Sequence, residues 1–599
     1  MSPLSFLAAL SLAAAASPPP RLSTVAEQSG FVRTGRYDEV QRLCSAFEAA
    51  YRGKVRCFNF GTTPEGRPML ALAASLDGTL EPAAAKARKR PVVLVQGGIH
   101  AGEIDGKDAG FWLLRDLLDR KAGVARGRSV LQDVTLVFVP VFNVDGHERF
   151  GPNHRPNQIG PEQMGYRVTA QNLNLNRDYV KADAPEMRAM LGLLNRYDPI
   201  VYQDLHVTDG AQFQHDVAVL VEPYRAGREA MRREGAPFNA ALQAALTATG
   251  HLPVDFYPSF IKDDDPTSGF RAGIPPPRFS HAYWPARNRF AVLVETHSWK
   301  DYATRVKATR DAMLATLDHV AAHGPSLLAA AGAADEADAR GEGPVELAYE
   351  TGGSPATFDF QGYAYTVAPS EISGQPWIRY DPSKPQVWRV PLFTEVKPAQ
   401  TVALGPSAGY LVPVGVAAMV QERLAAHGLK FTRLARPLGG VKVQVFRSRS
   451  VSYRPATFEG RSLPKFTGAW AEEIQDLPPG SLFVPASQPG RTLVAHLLEP
   501  EGPDSLLAWG VFNAWFERKD GMERYVVEAE ARKMLEANPK LRAELDAAMK
   551  ADAGFAASAD QRLEFFERRH PSWDDHANLY PVFRVDAPPA PAPSASVSP

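Results

Sequence analysis

PVVLVQGGIHAGEIDGKDAGFWLLRDLL (91–118) is the stretch that decides the fold. Val92–Val95 is a short apolar run without polar alternation, which reads as a strand buried on both faces. Gly97 and Gly98 break it. Beyond Glu103 the period changes, and Phe111, Leu114 and Leu118 recur at helical spacing. A buried strand, a glycine turn and a helix make half of a parallel β–α unit. The same texture spreads outward. Strand-like runs occupy Val134–Val141 (VTLVFVPV), Pro199–Leu205 (PIVYQDL) and Phe290–Val294 (FAVLV). Helical patterns lie around Ala236–Thr249 and from about Ala303 to Ala322. Upstream come a helix around Tyr37–Tyr51 and strands at Val55–Phe60 and Met69–Ser75. The fold class is therefore α/β, with a mixed, mostly parallel sheet flanked by helices.

A chain of 599 residues is too long for one hydrophobic core. The α/β regime covers 25–328. Ala329–Pro344 (AAAGAADEADARGEGP) is small, charged and unpatterned, and reads as a linker. An accessory β/α region is expected over 345–584. It has short strands over Leu347–Phe393, a strand and helix over Gly409–Gly428, β-like runs at Val441–Phe446 and Leu493–Leu498, and helices from Met522 to His570. Residues 585–599, ending APPAPAPSASVSP, read as a disordered tail.

At the other end, the apolar run Leu4–Ala16 stops in small residues and is followed by three prolines, as in a secretory signal peptide over 1–17. That run is too short to span a bilayer, and no later segment offers about 18 uninterrupted apolar residues. The mature protein is therefore expected in the periplasm or medium, with no membrane partner. A formal charge of -1 gives no electrostatic reason to expect nucleic acid. The two cysteines, Cys44 and Cys57, either pair as a disulfide, which an exported chain permits, or stay as buried thiols.

His100-Ala101-Gly102-Glu103 follows a strand and precedes a helix, so ligands three residues apart can face one point. Imidazole and carboxylate suit zinc, and a catalytic zinc takes three protein ligands and keeps one position open. The same HxxE spacing recurs at His496–Glu499, inside an apparent strand where residues three apart face opposite ways, and reads there as structural. Only the first copy has company. His206 and Glu295 each follow a strand, at the edge where open α/β sheets place their sites. Arg167 and the loop Asn174-Leu175-Asn176-Arg177-Asp178 supply groups suited to holding a carboxylate.

This series, HxxE, Arg, NxNR, His after a strand and Glu after a strand, resembles the zinc carboxypeptidases related to carboxypeptidase A. Gly61–Arg67 is similar to that family's early Gly-x-Ser-x-Glu-Gly-Arg turn, with Thr63 or Pro64 in the Ser position. Asn143–Gly146 is similar to its Asn-Pro-Asp-Gly turn. The resemblance covers about 35–325. It implies one zinc per chain held by His100, Glu103 and His206, with Glu295 as general base and Arg167 stabilising the oxyanion. Asn176 and Arg177 would bind the terminal carboxylate of a peptide or protein substrate. Two departures stand out. Asn174 replaces the family's Asp, and the substrate-capping Tyr has two candidates, Tyr283 and Tyr257. His281 and His297, near the site in sequence, read as structural or supporting. The implied activity is a metallocarboxypeptidase. The alternatives are a zinc amidohydrolase acting on N-acyl amino acids or cell-wall peptides, and a catalytically silent carboxypeptidase-like binding module.

Overall fold

A computed structural model describes residues 22–125 and 127–589. The expected signal peptide, and the tail beyond residue 589, lie outside the described residues. The chain divides into two compact units: residues up to 334 with 349–397, and 335–348 with 398–599.

The first unit is built on an eight-stranded sheet. Its strands are β1 (Val55–Thr62), β2 (Pro68–Ala74), β3 (Val92–Gly97), β4 (Thr135–Val139), β5 (Val201–Val207), β6 (Val217–Glu222), β7 (Pro253–Val254) and β8 (Phe290–Thr296), in the order β1-β2-β4-β3-β5-β8-β6-β7. The central run β4-β3-β5-β8 is parallel, and the β1-β2-β4 edge is antiparallel. Every residue of β3, β4, β5 and β8 is buried. Helices cover both faces of such strands, and so they carry continuous Val, Leu and Phe rather than alternation.

Helix α1 (Tyr37–Ala50) packs beside β1, and the two are joined by a Cys44–Cys57 disulfide, which settles the question the cysteines left open. The two family-like turns meet. Thr63 Oγ1 donates to Asp145 Oδ1 at 2.8 Å, and Arg67 Nη1 donates to the same oxygen at 2.6 Å. Of Thr63 and Pro64, it is thus Thr63 whose side chain ties the two turns together. Helix α2 (Asp105–Leu118) follows the metal-loop segment, and α3 (Pro185–Tyr197) and α4 (Glu229–Ala248) complete the flanks.

Three expectations are corrected. The proposed linker is helical: α5 runs unbroken from Tyr302 to Ala339. The stretch lacks an apolar period, but alanine is the best helix former, and Leu327, Ala331 and Ala334 are buried. Of the short strands expected over 347–393 one forms, Val345–Gly352, and the rest is one long hairpin, β9 (Ala356–Pro369) with β10 (Pro376–Phe393). Most of it belongs to the first unit, where Phe360, Trp388, Val390 and Leu392 share a core with Phe213, Leu220 and Leu293. Leu493–Leu498 is not a strand but lies in helix Arg491–Leu498. Its apolar residues fill a buried helix, which periodicity over six residues does not separate from a buried strand.

The second unit has a six-stranded sheet with a long hairpin of its own, Leu438–Tyr453 with Pro464–Leu477. Here the other HxxE copy is structural. Glu499 is buried and accepts from Tyr410 Oη at 2.5 Å and Arg584 Nε at 2.9 Å. Helices at Arg524–Ala537, Pro539–Ala551 and Ala559–Glu567 gather around Val527, Leu541, Leu545 and Phe566. Among the described residues no helix is long and apolar enough to cross a membrane.

Candidate metal centre

The polypeptide leaves β3 through Gly98, whose φ of 63° is the left-handed turn a Cβ disfavours. His100 and Glu103 then close a tight turn, with Glu103 N donating to His100 O at 2.9 Å. This puts both side chains on one point. The neighbouring β5 delivers His206 to it. Along a strand residues i and i+2 share a face, so Asp204 comes with His206. β8 pairs in register, with Glu295 opposite His206.

The donor atoms of His100, Glu103 and His206 lie within 4.8 Å of one another, and all three residues are buried. His100 Nδ1 stands 2.9 Å from Glu103 Oε1, and His206 Nδ1 stands 3.0 Å from Oε2. The other ring nitrogens point away. His100 Nε2–H donates to Asn174 Oδ1 at 3.1 Å, and His206 Nε2–H donates to Asp204 Oδ2 at 2.8 Å. Outer partners of this kind fix the tautomer and leave the Nδ1 lone pairs converging. His100 Nδ1 is buried and makes no hydrogen bond of its own. Two imidazoles and a carboxylate aimed at one point, one of them with an orphaned nitrogen, fit a zinc ion.

The electrostatics divide the carboxylates. Burial alone would raise Glu103, but the Arg155 guanidinium and the two imidazoles hold it well below the usual range. Glu103 is therefore ionised. Glu295 goes the other way. Burial pushes it up to about 8, helped by Glu103 and Asp204 and opposed by His206. Burial pushes His100 down to about 4, so it is neutral. Burial would also lower His206, but Asp204 and Glu295 outweigh it and raise the group. A metal must then displace a proton there.

Residues 40–248 match the family described as zinc carboxypeptidase. Over that segment the chain is similar to the zinc carboxypeptidases. The match includes His100, Glu103 and His206 and stops short of Glu295. A curated relative, Inactive metallocarboxypeptidase ECM14 of Saccharomyces cerevisiae, is 28% identical over 137 residues, 22% of this chain. The match spans 31% of that protein's length. Two solved structures are similar. A metallo-carboxypeptidase from Burkholderia cenocepacia is 20% identical, with a TM-score of 0.33 over 47% of this chain and 69% of its own. The carboxypeptidase A from Helicoverpa armigera is 15% identical, with a TM-score of 0.34 over 50% of this chain and 74% of its own.

Around this centre the other expected residues fall into place unevenly. Arg167 reaches it, with Nη1 donating to Glu103 Oε1 at 3.1 Å, and stays partly exposed. Asn176 Nδ2 lies 3.4 Å from His206 Nε2, and Asn176 Oδ1 accepts from Ser280 N. The Arg177 guanidinium lies over the Phe279 ring at 4.2 Å. The Asn174 departure leaves the local architecture standing, because its Oδ1 accepts from both His100 Nε2–H and Asn176 N.

Tyr283 is corrected. It has no exposed surface, packs 5.4 Å from Tyr179, and its hydroxyl accepts from Arg287 Nη1 at 3.5 Å. Tyr283 ends a short helix, Ser280–Tyr283, directly before the buried Trp284, and its own side chain is buried as well. Tyr257 is the candidate that remains. Burial, then the charges of Glu295, Asp209 and Glu103, push its phenol well above its usual value, which puts it within their field. His297 stacks on Phe213 at 3.8 Å, and His281 is a buried neutral ring.

Two residues were missed. Asp204 was legible, since Asp-x-His on a strand places both side chains on one face. Arg155 was not. Its Nη1 lies 2.9 Å from Glu103 Oε1, but it arrives from an irregular loop with no spacing rule. Gly102 makes room for it, since a Cβ there would stand 2.6 Å from Arg155 Cγ.

Proposed function

We propose that this protein is a zinc-dependent metallocarboxypeptidase that releases C-terminal residues from peptides. The observation that carries the reading is Glu295, a buried carboxylate in register with His206 that ligates nothing in the cluster. A silent binding module has no physical need for such a group. Zinc, when bound, would polarise the scissile carbonyl and lower the pKa of water toward ~7. A bound cation would offset the burial that raises Glu295 and favour its ionised form, which accepts a proton from water and passes it to the leaving amine. Arg167, partly exposed beside Glu103, faces the position where negative charge develops on the carbonyl oxygen. Asn176 and Arg177 hold the terminal carboxylate and so restrict cleavage to chain ends. The site is buried on the sheet side, which strengthens each of these interactions. An exported location suits the Cys44–Cys57 disulfide, because such bonds persist in oxidising compartments.

Paired peptides with free and amidated C-termini test the reading. Cleavage confined to the free acid is expected. Equal cleavage of both removes the carboxylate anchor from Asn176 and Arg177, and with it the carboxypeptidase reading.

A further inference from the structure

The loop from Asp255 to Gly269 leaves the sheet beside the metal centre. Val254 of β7 is in register with Ala218 of β6, and Ala218 with Glu295 of β8. Tyr257 lies on this loop, 39% exposed, between two phenylalanines that are not. Phe256 is buried and packs 5.2 Å from Phe270 and 5.5 Å from Phe358. Phe260 sits 5.4 Å from Phe270 and 5.9 Å from Trp388. Phe358 belongs to β9 and Trp388 to β10, so both clamps close on the hairpin Ala356–Phe393. The loop's far end is tied to it as well, since Phe270 and Arg271 pair with Leu392 and Phe393.

The hairpin itself is locked to the strand-end loop that follows His206. Gln214 N donates to Gln361 O at 2.8 Å, and Gln214 Nε2 donates to Gly362 O at 2.6 Å. Gln361 N donates to His215 Nε2 at 3.2 Å. Phe360 fills the space between, 5.1 Å from Phe213 and 5.6 Å from Trp388. Gly362 is needed there, because a Cβ would fall on the Trp388 ring. A segment more than 50 residues beyond Glu295 thus grips both sides of a tyrosine beside it.

We propose that the hairpin Ala356–Phe393 is a positioning element of the active site, which holds Tyr257 at the metal centre through Phe256 and Phe260. Ordering a loop on binding costs affinity, and a loop already ordered avoids that cost. Tyr257 donates its phenol O–H to bound substrate, and Phe260 acts only through Tyr257. The use of Tyr257 rests on the peptidase reading; the pinning of its loop does not.

Two measurements on the full chain separate them. Backbone hydrogen exchange over 255–269 is expected to quicken about tenfold or more in Phe260→Ala, with zinc content unchanged. KM for a free-acid peptide should rise about tenfold with kcat within about twofold, as expected when only preorganisation is lost. Phe260→Leu should restore both. Adding Phe260→Ala to Tyr257→Phe should cost nothing further, since two changes acting through one contact do not add. Trp388→Phe carries the same comparison if Phe260→Ala does not fold. Unchanged exchange overturns the pinning. Faster exchange with unchanged KM, or full additivity, overturns the positioning role. If the wild-type protein cleaves no peptide, the peptidase reading and the role of Tyr257 in it fall, and exchange alone decides the pinning.

Discussion

Asp204→Asn isolates the partner that aims His206. Three donors meet the Asp204 carboxylate: Gln96 Nε2 on Oδ1 at 2.8 Å, and His206 Nε2 and Ser280 Oγ on Oδ2 at 2.8 and 2.5 Å. Asparagine has nearly the same shape but one oxygen and an NH₂. Whichever way the amide turns, at least one buried donor faces another donor. An unmatched buried donor costs about 1–3 kcal/mol. If His206 loses its acceptor, its ring and tautomer are no longer fixed, and zinc affinity should fall about 10–100-fold, as for outer partners generally. That is about 1.4–2.7 kcal/mol, which agrees with the hydrogen-bond figure. Competition with a chromogenic chelator at pH 7.5 measures it directly. A zinc Kd within about twofold of wild type would refute the reasoning, because the outer-partner rule leaves no room for so small an effect.

Two more predictions follow from the structure. His496→Ala should leave zinc content at one per chain, while His206→Ala abolishes it, as metal analysis of the purified variants would read; Glu499 is already committed to Arg584 and Tyr410. His251, bonded to Asp216 and Asp311, is raised from 6.5 to about 9. Its contribution to stability is therefore complete below pH 6.5 and lost as pH rises through about 9. Calorimetry from pH 6 to 9.5 should show a fall in Tm of a few degrees at most, because solvent screening discounts the pair, and His251→Gln should flatten that part of the profile.

The central sheet was readable because β3, β4, β5 and β8 are short, largely apolar runs rich in β-branched residues and bounded by turn residues, although a short apolar run alone does not exclude a buried helix, as Leu493–Leu498 shows. The candidate metal ligands were readable because each lies at or just beyond the C-terminal end of a strand. What stayed hidden was set by tertiary contacts. Ala329–Ala339 looks like a linker, and alanine-rich helices carry no strong apolar period to betray them. The hairpin's strands read as short because Pro376 and Pro385 punctuate β10, although edge-type pairing tolerates them. On paper Tyr283 is the choice over Tyr257, and only packing sends it into the core. Arg155 reaches Glu103 from a loop whose path no local pattern dictates.

The most direct test of the account is the turnover of Glu295→Gln on a free-acid peptide, with zinc measured in the same sample. Glutamine keeps the volume in β8 but accepts no proton. Loss of general-base assistance is worth ~10²–10⁴ in rate, so kcat should fall by that much with one zinc retained per chain. A variant that turns over like wild type would contradict the account, and so would one that has lost its zinc, because Glu295 would then be a ligand and not the base.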